Sequence, residues 1–570
     1  MAMVSPSKIM TGLAGWAVFV IQPVYADDQP LFKQQEQHQK QQQQALEQRL
    51  EAKAPTVRLS DEISSISGLS FPNESPCFVI HKVTLSGRED LPHWVPLQRL
   101  ADQANSHCLG LQGIDLLMSN MQNRLISHGW VTTRILAPEQ DLSQGELKLN
   151  LVAGKIRQVR YTDEADKYAT LYTALPAHDG NLLDLRDIEQ GLENLQRIPN
   201  VQASMELVPG EQPGESDIVI KRQQSRFWHV GAWVDNSGTK TTGQTQGGLM
   251  FALDNPMSLS DLFYLSMNRD LAFSHRKDST NYTAHYSAPF GYWQFAVTGS
   301  KYNYMQTVPE LNGDAKYRGK NRNLNAQLSR VLHRNASSKT ILIYSVNVRE
   351  TRNFMKQTEI GSQKRRTSSW SLGLNHRHYI GATVLDAGVR YQQGTRWFGA
   401  LPAYEERRDK SSYDYATAKS EIIQLSVTLN TPFKLGSQSF QHNIEYQKQW
   451  SNTPLTPQDQ FSIGSRWTVR GFDGERTLSA DEGWTLRNTL SWQTPAPDQQ
   501  LYLGADYGRV GGHGSETIIG RTLAGGVMGL KGNIRPAHLA YDVSVGTPLS
   551  KPDGFKTDFA HINFSLNWQY

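Results

Sequence analysis

Few residues of this chain have the types and spacing that covalent or metal chemistry requires. The 16 histidines are scattered through 570 residues with no recognisable ligand or triad spacing. The sequence contains no phosphate-binding loop of the GxxxxGK[ST] type and neither an HExxH nor a GxSxG pattern. We therefore expect no enzyme activity, no metal centre and no cofactor.

An export signal is expected over residues 1–26. Lys8 precedes an apolar run over 13–21, and Val24-Tyr25-Ala26 supplies small residues where a signal peptidase cleaves. The run is shorter than the roughly 20 residues that a membrane helix needs. We expect the mature protein to leave the cytoplasm without helical spans.

The two cysteines, Cys77 and Cys108, lie 31 residues apart. In an oxidising compartment, two such cysteines most simply form a disulfide, worth roughly 3 to 4 kcal/mol in the chain-entropy model. A metal site is the alternative, but it would need further ligands nearby.

The last eleven residues alternate strictly between apolar and polar side chains. Ile562, Phe564, Leu566, Trp568 and Tyr570 share one face of a strand, and the polar residues between them share the other. A strand between lipid and a wet lumen needs this pattern, and an aromatic terminus suits the membrane interface. A strand of a soluble sandwich is the alternative.

The same alternation runs through residues 225–570, with Gly, Asn, Asp and Pro between the strands. About sixteen strands of membrane-spanning length fit into this segment, and in lipid they must close into a barrel because an open edge leaves backbone groups unpaired. Only 38% of the residues are hydrophobic, and the net charge of +4 is too small for a chain of this size to suggest a nucleic-acid partner. The fold class is therefore β, a transmembrane β-barrel of antiparallel strands.

Residues 27–53 are rich in Gln, Glu, Lys and His and contain no Pro or Gly after Pro30, which favours one polar helix. No apolar face is wide enough for a core, so the helix is either a solvated tail or lies in a polar lumen. A Pro- and Ser-containing linker follows over 54–75. Two tandem α+β modules then repeat one order of strand, helix, strand and strand; we call 76–154 the first module and 155–224 the second module.

A long connection over about 451–482 separates two strands of the barrel. Connections of this length are usually functional. It contains Ser465-Arg466-Trp467-Thr468-Val469-Arg470-Gly471-Phe472. A guanidinium could anchor such a loop by two parallel hydrogen bonds to a carboxylate; the alternative is that Arg470 is a solvated loop charge.

With these motifs the sequence resembles the TpsB transporters of two-partner secretion, the haemolysin-activator and contact-dependent-inhibition group among the BamA-like barrels. Val469, Arg470, Gly471 and Phe472 match the VRG[FY] signature of the family's sixth loop. Asp506 and Gly508 match its wall motif FxxDxG, although Leu503 stands where the family has Phe.

The resemblance implies an outer-membrane pore with two periplasmic POTRA domains and a plug helix at 27–53. It implies that Arg470 pairs with Asp506 inside the lumen, that an unfolded TpsA-type exoprotein is the partner, and that the barrel-assembly machinery inserts the chain. The driving force is expected to be folding of the client outside the cell. A toxin, a haemolysin or an adhesin would need similar machinery, so the client stays open. A BamA-like assembly factor is the alternative function, and a barrel enzyme or solute porin is a third.

Overall fold

The fold is described from a computed structural model, over residues 31–50, 56–59, 69–310, 313–408, 416–513, 515–516 and 518–570. The predicted signal peptide at 1–26 and half of the predicted linker, residues 54–55 and 60–68, lie outside these residues. Among the residues described, no helix is both long and apolar enough to cross a bilayer.

Helices are few and, apart from the first, lie in the two modules or in one loop of the barrel. Their bounds are α1 Leu31–Leu50, α2 Leu97–Ala101, α3 Leu111–Ser127, α4 Leu171–Ala174, α5 Leu185–Gln196 and α6 Tyr404–Arg408.

The first module packs α3 against a sheet with the order β2-β5-β4, in which β2 and β5 run parallel. Its strands are β1 Phe78–Ile80, β2 Lys82–Ser86, β3 His107–Leu109, β4 Arg134–Leu136 and β5 Glu146–Val152. Between β1 and β2 the chain changes sheets at His81, whose N–H donates to Gly145 O, so β1 pairs with β3. Strand β4 begins at Arg134, after Trp130 and Val131 have completed the turn that ends α3.

The disulfide between Cys77 and Cys108 is present and ties the start of β1 to β3. Just before it, the Glu74 carboxylate accepts hydrogen bonds from the N–H groups of Gly110, Gln112 and Gly113 at 2.7–2.9 Å. These are otherwise unpaired donors at the start of α3, so Glu74 caps that helix from outside it. The chain entering the first module is thus fixed by one covalent and one ionic contact.

The second module has the sheet order β6-β8-β7, with β6 parallel to β8. Its strands are β6 Lys155–Tyr161, β7 Val201–Pro209 and β8 Glu215–Gln224. Helix α5 buries Ile188, Leu192 and Leu195 at helical spacing against this sheet. Asp184 caps α5 by accepting from the Arg186 N–H at 2.8 Å.

The remaining chain closes into the predicted antiparallel barrel, which has sixteen strands among the described residues apart from the two-residue β16 beside β15. Its strands are β9 Trp228–Asp235, β10 Gln246–Asp254, β11 Leu262–Asp270, β12 Asp278–Phe290, β13 Trp293–Glu310, β14 Gly313–Arg334, β15 Ser338–Met355, β16 Thr358–Glu359, β17 Arg365–Ile380, β18 Thr383–Thr395, β19 Glu421–Leu435, β20 Gln438–Ser451, β23 Glu482–Gln493, β24 Gln499–Gly511, β25 Thr522–Ile534, β26 Leu539–Ser550 and β27 His561–Gln569; between β20 and β23 lie the short strands β21 Phe461–Ile463 and β22 Leu478–Ala480.

The barrel closes by pairing β27 with β9, in the register Ser565↔Asp235 to Gln569↔Gly231. The alternation of β27 follows the expected faces. Asn563 and Ser565 line a cavity inside the barrel, whereas Ile562 is 63% and Trp568 38% exposed on the outside.

Candidate functional site

The connection between β20 and β23 turns into the barrel and folds there as a small substructure, which we call the inner loop (residues 452–481). The short strands β21 and β22 pair within it, in the register Phe461↔Ala480 to Ile463↔Leu478. Its tip carries Val469, Arg470, Gly471 and Phe472.

The structure brings Arg470 of this tip against Asp506 in the middle of β24. Arg470 Nε donates to Asp506 Oδ2 at 2.7 Å and Nη2 donates to Oδ1 at 2.6 Å, while the Arg470 backbone N–H donates to Oδ2 at 2.9 Å. Nη2 also donates to Thr489 Oγ1 at 2.9 Å on the neighbouring strand β23. The Asp506 side chain is fully buried and that of Arg470 is 11% exposed, so this bidentate pair is held out of bulk water.

Two more charged side chains extend the pair along the wall. Arg487 pairs in register with Asp506 across β23 and β24, and its Nε lies 3.8 Å from Asp506 Oδ2. Arg487 Nη1 also donates to Glu445 Oε2 on β20 at 3.0 Å. Glu445, Arg487, Asp506 and Arg470 therefore alternate in sign, which lowers the cost of burying the Asp506 carboxylate.

The loop tip approaches the wall so closely that only glycine fits at several positions. Gly471 has φ +109, and a Cβ added there would lie 2.5 Å from Thr547 O. On the wall, a Cβ at Gly525 would lie 1.8 Å from Arg470 O, and one at Gly504 would lie 2.7 Å from Arg470 Nη2. A Cβ at Gly508 would meet Val469 Cγ2 at 2.7 Å. The missing side chains leave a shallow slot into which the tip fits.

Apolar contacts hold the residues before and after Arg470 in the loop tip. Val469 and Phe472 are buried in a cluster with side chains of the β21–β22 hairpin and the outer ends of β24 and β25, and Phe472 packs edge-on against Phe555 with ring centroids 5.7 Å apart. The members are Ile463, Val469, Phe472, Leu478, Ala480, Val510, Leu523 and Phe555. The tip is therefore fixed by a charged contact flanked by apolar ones.

Helix α1 lies inside the barrel and bonds both to the wall and to the inner loop. On the wall, Asn281 donates to Gln43 Oε1 at 2.6 Å and Asn321 donates to Gln39 Oε1 at 2.5 Å. Toward the loop, Ser465 Oγ donates to Gln41 Oε1 at 2.8 Å and Ser479 Oγ donates to Gln37 Oε1 at 2.5 Å. The glutamines thus act as hydrogen-bonding groups in a polar lumen.

The C-terminal end of α1 is anchored differently. Arg49 donates to Asp235 Oδ2 at 3.2 Å, and Leu46 is buried against Trp233 and Tyr264 of the inner wall. Leu50 joins this cluster. The apolar stripe of the helix, too narrow for an ordinary core, is therefore wide enough for one turn to pack on the barrel.

The second module docks on the rim of the barrel through Glu189 and Glu193 of α5. Both carboxylates meet Arg334 at the end of β14, whose side chain is 4% exposed, and Glu193 also pairs with Lys339 at the start of β15. Burial by itself would raise the pKa of Glu193, but Arg334 and Lys339 outweigh it, so its pKa lies below the ordinary value.

The same two carboxylates hold residues 56–59, which we call the strap. The Val57 N–H donates to Glu193 Oε1 at 3.1 Å, and the Leu59 N–H donates to Glu189 Oε1 at 2.8 Å. Arg58 stacks over the Tyr379 ring at 4.5 Å. Since the strap lies between α1 and the first module in the chain, one buried cluster fixes the second module, the barrel rim and the segment that follows α1.

Replacing Arg334 with alanine is expected to loosen this docking strongly. It leaves Glu189 paired with Arg186 and Glu193 paired with Lys339, and it removes the guanidinium that both carboxylates share at the end of β14. Removing one partner of a buried ion pair costs about 3 to 5 kcal/mol. Spin labels on the second module and the barrel rim should give a broadened distance distribution.

The docking of the unsubstituted protein should depend on pH. Because the pKa of Glu193 is lowered, docking is fully stable above the ordinary carboxyl pKa and weakens as the pH falls through the lowered pKa.

Arg330→Ala provides the matched control for Arg334→Ala. Arg330 lies on the same strand, but its guanidinium stacks 4.9 Å over the Trp293 ring and forms no ion pair among the residues described. A distance distribution that stays sharp in Arg334→Ala would contradict the assigned role of this cluster.

Sequence reasoning missed several parts of this arrangement. The wall glycines Gly504 and Gly525, the bridging Arg487 and the α5–rim cluster carry no local signal of their roles. The Gly-rich spacing of β24 and β25 was a usable hint, since glycine inside a strand marks close approach of another backbone. No group of three or more His, Cys, Asp or Glu side chains is placed for a metal ion among the residues described.

Comparison with known sequences gives three domain-level matches. Residues 214–532 match the family described as haemolysin secretion/activation protein ShlB/FhaC/HecB. Residues 78–154 match the ShlB-type POTRA domain, and residues 155–209 match a POTRA domain.

Individual relatives cover most of the chain. It is 36% identical to the outer membrane transporter CdiB-2 of Burkholderia pseudomallei, over 88% of this chain and 87% of that protein. It is 27% identical to the hemolysin transporter protein ShlB of Serratia marcescens, over 81% of this chain and 79% of that protein. Among solved structures, CdiB from Escherichia coli matches with a TM-score of 0.82 and 26% identity, over 94% of this chain and 98% of the other.

Proposed function

The chain belongs to the haemolysin secretion/activation protein family ShlB/FhaC/HecB and is an outer-membrane transporter of two-partner secretion, and we propose that α1 and the inner loop close its pore at rest. The pore opens for the client when α1 leaves, and secretion requires that the contact between Arg470 and Asp506 keep the loop tip on the wall. The proposal rests on the bidentate contact between Arg470 of the loop tip and Asp506 of the wall, together with the hydrogen bonds from the same loop to α1.

The contacts inside the lumen support this proposal because they are polar and exchangeable. The α1 side chains bond through amides and hydroxyls that an extended client or water could replace at little net cost. The inner loop is held more firmly, by the charged contact and its flanking apolar cluster. We therefore expect α1 to leave first, with the loop tip keeping its place on the wall or shifting along it.

The two POTRA domains are expected to receive the exoprotein in the periplasm. An unfolded chain can add to the edge of a sheet by backbone hydrogen bonds, which tolerates varied side chains. We further propose that residues 1–26 are removed on export, that 27–53 serve as the plug and 54–75 as the linker, that 76–154 and 155–224 are the two POTRA domains, and that the barrel-assembly machinery inserts the barrel over 225–570. The client is proposed to be a large TpsA-type exoprotein, and its folding outside the cell to drive transport without any catalytic residue of this chain.

The function is tested by co-expressing this chain with a TpsA-type exoprotein in cells that lack both proteins. Surface exposure of the exoprotein should depend on this chain and should leave the assembly of other outer-membrane barrels unchanged. Periplasmic retention of the exoprotein in the presence of this chain would overturn the proposal. Misassembly of other barrels on depletion would instead support the assembly-factor alternative.

A further inference from the structure

Three neighbouring strands of the barrel are longer than a membrane requires. Strands β13, β14 and β15 have 18, 22 and 18 residues, whereas a tilted strand crosses the hydrocarbon core with about 9 to 11. The turn before β13 meets the second module, where Asn194 donates to Gly291 O at 2.8 Å. Because the POTRA domains are periplasmic, the far ends of these strands extend beyond the outer leaflet.

The two faces of β14 are fixed by its contacts. Asn321 bonds to Gln39 of α1, so the odd-numbered residues face the lumen and the even-numbered ones face outward. Outward residues nearer the periplasm include Leu328 and Leu324, which are 41% and 52% exposed. The next four outward residues are all basic and exposed: Arg322, Lys320, Arg318 and Lys316. The outer edge of the apolar band therefore falls between Leu324 and Arg322.

This basic surface extends to the neighbouring strands and is only partly neutralised. Lys301 of β13 pairs in register with Arg322. Glu350 lies 4.0 Å from Arg322, and no carboxylate among the residues described forms an ion pair with Lys301, Lys316, Arg318 or Lys320. Lys320 lies over the ring of Phe354 at 5.3 Å. An excess of positive charge thus stands at the level of the outer-leaflet headgroups.

Lys301 and Arg322 also line an apolar crevice of about 860 Å³ on the same outer face. Its lining includes Ala284 and Gly299, which pair in register across β12 and β13. A Cβ added at Gly299 would have a single neighbour within 4 Å, Leu324 Cδ1 at 3.9 Å. The remaining lining is largely apolar and includes Leu249, Phe251, Leu265, Met267 and Trp568.

We propose that this outer face is a binding site for one lipid with a phosphorylated headgroup from the outer leaflet. Its phosphate would lie between Lys301 and Arg322, since ammonium and guanidinium groups bind phosphate by charge-assisted hydrogen bonds. One acyl chain would fill the crevice over Ala284 and Gly299. The positive charges and the apolar crevice adjoin at the depth where a lipid headgroup joins its acyl chains. A free anion would use only the charges and an apolar solute only the crevice, so this juxtaposition favours a lipid.

The proposal is tested with the full chain in detergent by native mass spectrometry. The probes are lipid A carrying both phosphates and the same lipid A with both phosphates removed. The wild type is expected to bind the phosphorylated form preferentially. Lys301→Gln with Arg322→Gln should weaken that binding about 25-fold, since each cation near a membrane surface contributes about a factor of five. Gly299→Phe, which places a ring in the crevice and leaves both charges, should weaken binding of both probes.

Lys448→Gln is the matched control for the charge variants. Gln449 reaches inward to the inner loop through Asp459 O and Asp481 O, so Lys448 faces outward, over the Trp450 ring and away from the crevice. Its binding should equal that of the wild type. Equal affinity of the wild type for both probes, or wild-type affinity in Lys301→Gln with Arg322→Gln, would overturn the proposal. Heat-modifiable mobility of each variant reports that its barrel is folded.

Discussion

Arg470→Ala is expected to reduce secretion of the exoprotein to background while the barrel remains folded in the membrane. The substitution removes four side-chain hydrogen bonds and leaves the buried Asp506 carboxylate with the backbone N–H of residue 470 and with Arg487 at 3.8 Å as its only cation. Breaking a buried ion pair costs about 3 to 5 kcal/mol, which shifts docking of the loop tip by more than about a hundredfold. The barrel itself keeps its hydrogen-bonded ladders, so its insertion should be unchanged.

The partner substitution Asp506→Ala should act in the same direction. It leaves Arg470 with Thr489 and the Asn488 carbonyl, and it also removes the neighbour of Arg487. Arg470→Lys should fail as well, because an ammonium cannot reach both carboxylate oxygens and Thr489 in one plane. Secretion is measured as surface-exposed exoprotein per folded transporter, with the folded fraction taken from heat-modifiable mobility.

Arg476→Ala is the control for these variants. Arg476 belongs to the same loop and has no ion pair among the residues described, so secretion should stay at the wild-type level. Normal secretion by both Arg470→Ala and Asp506→Ala would show that the contact between Arg470 and Asp506 plays no part in secretion, whereas loss of the folded barrel would show that the pair is only structural.

Deleting residues 31–50 is expected to raise the single-channel conductance of the reconstituted pore severalfold. The deletion empties the part of the lumen that α1 occupies, and water can take the place of the helix in its hydrogen bonds to the wall. Conductance is recorded in planar bilayers, with the inner loop left intact so that only the contribution of the helix is measured.

Paired substitutions test the same point without a deletion. Gln37 accepts from Ser479, and Gln43 accepts from Asn281, so Gln37→Ala with Gln43→Ala should increase the open fraction. Gln44 and Gln48 are exposed on the same helix, and Gln44→Ala with Gln48→Ala should leave the recordings unchanged. A deletion variant with wild-type conductance would show that α1 does not obstruct the pore.

The contact between Arg470 and Asp506 is coupled to helix α1 through the inner loop. Ser465 lies in that loop five residues before Arg470 and donates to Gln41 of α1. Displacing the tip should therefore also weaken the hold on the helix, and Arg470→Ala should show more frequent openings than the wild type. The two release steps can then be told apart, because release of α1 alone leaves Arg470 bound to Asp506.

Several features followed directly from the order of residues. Alternation with a period of two is a local property, so the apolar and polar faces of β27 could be assigned before any fold was known. Closure into a barrel followed because an open edge in lipid is too costly. The polar helix was also predictable, but its own chemistry left both a solvated tail and a lumenal helix open, and only the resemblance favoured the lumen.

The three-dimensional fold decided what depends on partners far apart in the chain. Glu189 and Arg334 are separated by 145 residues, and Gln37 and Ser479 by 442, so no local pattern could pair them. The role of Gly525 cannot be read from its neighbours in the chain. Only the fold shows it, because a Cβ added at this position would lie 1.8 Å from Arg470 O. The alternation of neighbouring residues establishes which side chains face lipid and which face water. Closure of the barrel decides which distant side chains come into contact, because the strand register sets distances across the lumen.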